Sequence, residues 1–395
     1  MRISQWARQA REVWEVPRDL VLKRYPGFVT GGELPQGDVP VFVFHSLEPE
    51  PFERKLRHLA DNGYVTLGTG EYLDVILGRQ RAPERAVVLT FDDGRGSLWA
   101  VGYPLLRRYG MKGVVFLVPG RTSSRPGPLP PTWDDVRAGR ALADVVTQRE
   151  TGDDGAFLSW EEVRALSHSG VFEFQSHSHL HSRIHVAPRV EGFLTPGARR
   201  GAAAMDVPLI GSSGRDLLAH EAPLGTPLLR SAPRTSEALR FHEEPGVRTR
   251  CVEAVEAAGG ERFFSRRGWE RELRRLVDRN IPGRIETPAE REEAIRRELQ
   301  DSKRTIEAET GQPVDGLCYP WHASGPTARR LATEAGYSTA FAGKLPGIPI
   351  THVGGDPLAI ARIGEDYLER LPGRGRSRLR SVLAAKWSRR LAGRS

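Results

Sequence analysis

Two adjacent carboxylates, Asp92 and Asp93, end the run Ala86-Val87-Val88-Leu89-Thr90-Phe91 and are followed by Gly94. Five β-prone residues in succession predict a buried strand of the parallel type. Neighbouring side chains on a strand point to opposite faces. Where the strand ends the chain turns, and both carboxylates can then aim into one pocket. Gly94 permits the positive φ or close backbone approach that such a turn needs. Asp-Gly is also common in plain surface turns, so this motif gains its meaning from a second cluster. Four of the eleven histidines, His177, His179, His181 and His185, fall within nine residues, just after the predicted strand Val171-Phe172-Glu173-Phe174-Gln175.

Two arrangements of these histidines are open. If the strand persists, His177, His179 and His181 share one face, as a three-histidine metal site needs. If it ends at His177 and a helical turn follows, His177 and His181 align at i, i+4 and need an anionic partner. Asp92-Asp93 supplies one. Imidazole plus carboxylate suits Zn²⁺ and its first-row neighbours, with positions left over for water.

The elements that must position these groups alternate between strand and helix. Val39–Phe44 reads as a strand ending at His45-Ser46, and Phe52, Leu56 and Leu59 mark one face of a helix stopped by Asn62-Gly63. Further strands are expected at 64–67 and 111–118, with helices near 71–77 and 98–109. Ser159 and Glu162 form a capping box at the start of another helix. Thr287-Pro288-Ala289-Glu290 opens a further one, followed by the strand Val314–Tyr319. Such alternation predicts a parallel α/β architecture.

With both clusters on these elements, the chain resembles the polysaccharide deacetylase family (carbohydrate esterase family four, the NodB homology domain). Thr90-Phe91-Asp92-Asp93-Gly94 matches the family's first motif, and His177-Ser178-His179-Leu180-His181 its His-Ser/Thr-x-x-His second motif. Pro40-Val41-Phe42-Val43-Phe44-His45 matches the lead-in, and Leu317-Cys318-Tyr319-Pro320-Trp321 is similar to the third motif. The matches run from about residue 38 to 365. The resemblance implies a deformed (β/α) barrel with a large insertion between the second and third motifs. It implies a divalent metal, Zn²⁺ first and Co²⁺, Ni²⁺ or Mn²⁺ as alternatives, held by Asp93, His177 and His181. Asp92 would be the general base, the backbone N–H of Tyr319 would meet the oxyanion, and Ser178 would support the ligands. The implied activity is removal of an N-acetyl group from an amino sugar in a polysaccharide, oligosaccharide or lipid-linked glycan.

The chain departs from that pattern in places. The arginine that orients the base in the family's third motif is missing from 317–319, and Arg362 is the candidate substitute. His322 stands where glycine usually follows Pro-Trp, and the late Leu-x-His motif has no clear match. His352 and His322 are therefore the two candidates for protonating the leaving amine. The domain reading is an amphipathic N-terminal segment at 1–34, a barrel at 35–371, an insertion at 186–285 within it, and a basic amphipathic tail at 372–395. The insertion reads as loop-like up to Pro233 and helical in patches beyond. Emerging beside a metal ligand, it is expected to form a lid or substrate wall.

Composition narrows the remaining choices. A hydrophobic share of 39% and a charged share of 27% describe a globular chain with a sizeable core. The net charge of +8 equals the eight basic residues from Arg374 to Arg394, a segment without acids, so the rest is balanced. A specific nucleic-acid surface is not expected, since charge alone gives only non-specific affinity. Both termini carry Trp, Leu or Val at helical spacing among arginines, which suits a membrane surface. Two cysteines exclude a disulfide framework. The absence of an apolar leader and of any span of about 20 apolar residues leads to an expected cytoplasmic location, peripheral on the inner membrane face. Two rival functions would share these residues: a metal-dependent hydrolase of non-sugar amides or imides, and a non-catalytic glycan-binding member of the fold. The second should have lost a ligand or the base, and none is missing.

Overall fold

The computed structural model describes residues 18–19, 22, 24–149, 156–199, 205–210, 222–277, 280–343, 345 and 347–391. The helix expected between Ile3 and Trp14 lies outside them. At its centre is an eight-stranded parallel sheet. In chain order its strands are β1 (Val41–Phe44), β2 (Val65–Thr66), β3 (Ala86–Asp93), β4 (Gly113–Leu117) and β5 (Phe172–Ser176). After an excursion of more than a hundred residues come β10 (Gly316–Cys318), β11 (Thr339–Phe341) and β12 (Ile363–Gly364). The spatial order is β11-β10-β5-β4-β3-β1-β12, with β2 beside the start of β3. A bridge between Phe341 and Ile360 then ties the β11 edge to the segment leading into β12, and β12 pairs with β1. The sheet thus curls back on itself as a deformed barrel, the α/β class expected from the alternation of strands and helices.

Strand periodicity divides the side chains into two layers. Ala86, Val88, Val114, Phe116, Cys318, Phe341 and Ile360 fill the interior together with Tyr72, Val75 and Ile76 of the helix α2 (Thr69–Ile76). Phe42, Phe44, Val87, Leu89, Phe91, Val115 and Leu317 face outward into the larger core. That outer layer is covered by α1 (Pro49–Asp61), α3 (Tyr103–Arg108), α4 (Trp160–His168), α7 (Pro288–Thr310) and α8 (Pro326–Glu334). Their apolar stripes, such as Phe52, Leu56 and Leu59 or Ile295, Leu299 and Ile306, are fully or almost fully buried. Burial of each such side chain stabilises by about 1.5–3 kcal/mol. The predicted caps form: Ser159 accepts from the Glu162 N–H and Thr287 from the Glu290 N–H, with both glutamates reaching back.

The excursion is a second layer of structure rather than a long loop. The composition up to Pro233 reads as loop-like, but β6 (Arg183–Phe193) and β7 (Pro227–Pro233) form an antiparallel pair there. The pairing slips between His185 and Val190, around Pro188, as expected where a proline enters a strand. Arginines and prolines between the buried Ile184, Val190, Phe193 and Leu229 mask the alternation in the sequence. β8 (Phe241–Glu243) pairs with β9 (Gly283–Ile285), and α5 (Pro245–Ala257) and α6 (Trp269–Arg274) complete the unit. It has its own core of Val190, Phe193, Leu229, Phe241, Cys251, Val255, Phe263 and Leu273. The excursion begins at Arg183, immediately after the second motif. Near the C-terminus α9 (Leu379–Leu391) buries Val382 and sets Lys386 against Asp366 at 3.3 Å, while Trp387 is exposed. No helix among the described residues is long and apolar enough to cross a membrane.

Candidate functional site

The alternation along β3 sends Ala86, Val88, Thr90 and Asp92 inward, so strict continuation would put Asp93 outside with Phe91. The backbone prevents that. Asp93 has φ 72° and Gly94 φ 71°, which rolls the chain over at the strand's end. A Cβ at Gly94 would lie 2.4 Å from Leu117 Cδ1, so any larger residue would have to displace that buried side chain as well as hold a positive φ. Both carboxylates consequently face the C-terminal mouth of the barrel, each almost wholly buried.

The second cluster arrives on β5, which stops at Ser176. The chain then turns, with Ser178 at φ 60° and His181 at φ 50°, and this decides between the two spacings. His177 and His181 come together, their ring centroids 4.7 Å apart. His179 points elsewhere, and its backbone N–H donates to the Glu298 carbonyl on α7. His185 also leaves the site, with Nδ1 2.9 Å from Glu243 Oε2 inside the excursion. Nδ1 of His177 lies 2.8 Å from the Cys318 carbonyl. A carbonyl only accepts, so Nδ1 carries the proton and Nε2 presents a lone pair. The His181 backbone N–H donates to Ser178 Oγ at 3.1 Å, and its ring packs on Trp321 at 4.1 Å. Burial, then the neighbouring His177, push the His181 imidazole down to about 3, so it is neutral near pH 7.

Asp93 Oδ1 lies 3.6 Å from His177 Nε2 and 3.7 Å from His181 Nε2. Donors bound to a tetrahedral Zn²⁺ at about 2.0–2.1 Å are themselves about 3.4 Å apart, so the three atoms fit a cation of that kind. A second cluster, Asp92, His177 and Cys318, also has ligand atoms within 4.8 Å of one another. It is a poor cation site, because both Asp92 oxygens are taken. Arg362 Nη1 donates to Oδ1 at 2.6 Å and Nη2 to Oδ2 at 2.8 Å, while Nη1 also meets Thr90 Oγ1 and Nε the Ala342 carbonyl. Arg362 is fully enclosed in the barrel interior, against the Phe116 ring. Burial alone would raise the Asp92 carboxyl, but the charge of Arg362, and then the neighbouring His177, outweigh it and hold Asp92 well below the usual carboxylate range. Asp93 is likewise held low, against burial, chiefly by Arg95 and then by His181.

The other sequence candidates separate. His322 follows Trp321, both in the left-handed region at φ 57° and 50°, and its ring rests where a Cβ on Gly343 would be. The surrounding protein and then Arg362 push its imidazole well below the usual value, against the solvent that still reaches the ring. The Tyr319 N–H points at the Phe341 carbonyl across the β10–β11 ladder, at 3.4 Å, so sheet pairing competes for the donor expected to meet an oxyanion. The Tyr319 phenol is pushed up to about 12 by burial. His352 is not brought to the site. Its Nδ1 meets Asp38 Oδ1 at 2.9 Å, three residues before β1 and so at the opposite end of the barrel.

Two further residues belong to the site, His45 at the end of the lead-in segment and Arg95 after the first motif. His45 follows β1, whose Phe44 pairs with Phe91 of β3, and this register sets His45 beside Asp92. Its Nε2 is 3.9 Å from Asp92 Oδ2 and its ring is half exposed. The parallel register of two predicted strands is the signal that could have found it. Arg95, two residues beyond Asp93, donates Nε and Nη2 to Asp93 Oδ2 at 2.9 and 2.6 Å. Of the six non-glycine residues with positive φ among the described residues, five (Asp93, Ser178, His181, Trp321 and His322) are at this site. Such clustering of strained backbone is typical of functional centres.

Comparison with known proteins places similar sequences and folds beside this chain. Residues 79–193 match the family described as Polysaccharide deacetylase. The chain is 32% identical over 88 residues to YxkH of Bacillus subtilis (strain 168), a protein named as a polysaccharide deacetylase, covering 20% of this chain and 32% of that protein. It is 26% identical over 155 residues to the poly-beta-1,6-N-acetyl-D-glucosamine N-deacetylase of Escherichia coli (strain K12), covering 39% of this chain and 20% of that protein. The chain thus matches a third or less of the length of these relatives. Among solved structures, the BpsB deacetylase domain from Bordetella bronchiseptica has a TM-score of 0.48 at 18% identity, covering 84% of this chain and 97% of that one. IcaB from Ammonifex degensii has a TM-score of 0.47 at 15% identity, covering 90% and 99%. Residues 79–193, which carry both the two-aspartate strand and the histidine-bearing turn, are thus similar to the polysaccharide deacetylase family.

Proposed function

We propose that this protein is a metal-dependent hydrolase that removes the acetyl group from an N-acetylated amino sugar in a polysaccharide, oligosaccharide or lipid-linked glycan. The observation that carries this reading is the convergence of Asp93 Oδ1 with Nε2 of His177 and His181, beside a second carboxylate that an arginine keeps out of the ligand set. Asp93, His177 and His181 would hold the cation, and the donor set favours Zn²⁺, with Co²⁺, Ni²⁺ or Mn²⁺ as alternatives. When bound, such an ion supplies a Lewis acid that polarises an amide carbonyl and makes water nucleophilic at neutral pH.

The remaining work falls to the chain's own side chains. Asp92 accepts a proton at Oδ2, the oxygen nearest His45 and His177. Arg362 fixes the direction of that oxygen and also makes the carboxylate a weak base, so proton acceptance at Asp92 depends on an acidified water. His45 returns a proton to the leaving nitrogen: it reaches the Asp92 side of the site and is open to solvent. His322 is the poorer donor, because its lowered imidazole is unprotonated near neutral pH. Trp321, against His181 and under the Arg183 guanidinium at 5.1 Å, walls the side of the site next to the excursion.

The name of the Escherichia coli relative makes β-1,6-linked N-acetylglucosamine oligomers the first substrate to try. The test is acetate release from such oligomers, from chitin oligomers and from simple amides and imides, by protein loaded with Zn²⁺, Co²⁺ or Ni²⁺. Acetate from an amino sugar, abolished by chelator and by Asp92→Asn, is the expected result. Turnover of the simple amides alone would replace this reading with a non-sugar amidase.

A further inference from the structure

Asp92 and Asp93 each meet an arginine, but not in the same way. Arg362 lays its fork across both oxygens of Asp92, whereas Arg95 directs Nε and Nη2 to a single oxygen of Asp93, Oδ2. The other oxygen, Oδ1, is the one that faces His177 and His181. The local chain enforces this. Positive φ at Asp93 and Gly94 curls the backbone so that residue 95 returns over residue 93. The turn is then pinned from outside: Arg95 bridges Phe157, the Gly96 N–H donates to the Ala156 carbonyl, and the Leu158 N–H donates to the Gly94 carbonyl. The Arg95 guanidinium also lies 5.4 Å from the Phe157 ring centroid, and the side chain is only 11% exposed. A long surface arginine could swing away; this one has little room to do so.

We propose that Arg95 is a positioning residue for the metal centre, restricting Asp93 to one-oxygen ligation and sharing its negative charge. The proposal rests on the reading of Asp93, His177 and His181 as a cation site. A carboxylate can offer a metal one oxygen or two. To offer both here, Asp93 would have to break two charge-assisted hydrogen bonds to Arg95. A coordination position therefore stays open for water or substrate, and the cation is neutralised less than by an unpaired carboxylate. The arginine thus gives up binding strength for an open, more electrophilic centre. Outer-shell partners of this kind change metal affinity by about 10–100-fold when altered.

The test uses the full chain with Co²⁺ as probe, read by visible absorption and by competition against a chromophoric chelator, without reference to turnover. In Arg95→Gln, Asp93 is free to offer both oxygens next to an unbalanced charge. Cobalt should bind about tenfold tighter, with weaker visible bands as coordination number rises. Arg95→Lys keeps the charge on Oδ2 and should stay within about twofold of the parent in affinity, with its spectrum. Weaker or unchanged binding in Arg95→Gln, with the parent spectrum, would overturn the proposal, since that is what a purely structural ion pair gives. Should Arg95→Gln fail to fold, Arg95→Lys decides: a tenfold loss of affinity there overturns it equally. If the unaltered chain binds no cobalt while remaining folded, the site reading itself fails, and that outcome is distinct from both.

Discussion

Arg362 and Asp92, 270 residues apart in the chain, form a fully enclosed two-pronged ion pair at 2.6 and 2.8 Å beside the candidate metal centre, with Asp92 Oδ2 3.8 Å from His177 Nε2. The pair exists because β12 closes the barrel against β1, which delivers Arg362 to the interior beside β3. It links barrel closure to the orientation of the base, so a change at Arg362 should be felt in both.

For Arg362→Gln two effects are expected. Leaving a buried carboxylate without its partner typically costs about 3–5 kcal/mol, readable as a lower urea midpoint. In the protein that remains folded, Asp92 loses the charge that holds its pKa down. The acidic limb of the kcat/KM profile should therefore move to higher pH. An unmoved limb would mean that Asp92 does not set it.

The two aspartates should separate cleanly. Asp92→Asn leaves Asp93, His177 and His181 untouched, so cobalt or zinc affinity should stay within a few-fold while acetate release drops about 10²–10⁴-fold, the usual worth of a general base. Asp93→Asn should do the reverse and lose the ion. Metal that stabilises the parent in thermal melts by binding only the native state should no longer shift the melting point of Asp93→Asn. Equal loss of metal in both variants would contradict the division of labour.

Much of this site was legible because it sits in short local runs. Thr90 to Gly94 announced a strand that breaks into two acids, and the open choice among the histidines was reducible to where β5 ends. What stayed hidden depends on register or on partners remote in sequence. His45 ends the lead-in segment without marking itself as a site residue, and the Phe44 to Phe91 pairing is what sets it beside Asp92. Arg95 looks like any charged residue after a turn until the positive φ values fold it back. His352 is a late histidine in the sequence, but its position after β11 lets the chain return to the opposite end of the barrel, to Asp38. The strands β6 and β7 were masked by prolines and arginines whose long stems and polar heads interrupt the apolar alternation.

The titration of the site predicts how the metal-free protein responds to acid. Unfolded histidine takes up a proton near pH 6.5, whereas His181 in the native state resists until about 3. Between those values the unfolded state binds more protons, so stability rises with pH there and falls as pH is lowered from 6.5. Below about 3.9 Asp92 and Asp93 add to the loss with the same sign, since both are held low in the native state. Thermal melts in chelator should show a melting point that declines steadily from pH 7 to pH 4. His181→Asn should flatten part of that slope. A decline of the same steepness in the variant would show that other groups carry the proton uptake.

The proton donor to the leaving amine is the role most open to a direct contest between two side chains. His45 is half exposed, stands 3.9 Å from Asp92 Oδ2 and comes from a strand that neighbours β3. His322 lies on a strained turn over Gly343, with its imidazole lowered by the protein around it and by Arg362. A donor must hold its proton near the working pH, which His322 does poorly. His45→Ala should therefore reduce kcat by about 10²-fold or more on an N-acetyl sugar. The same variant should lose far less on an ester or on an anilide with an acidic leaving group, because such groups depart without a proton. His322→Ala should lower kcat on both kinds of substrate to a similar and smaller extent, as expected for a residue that shapes the pocket. If His322→Ala shows the leaving-group dependence and His45→Ala does not, the assignments exchange.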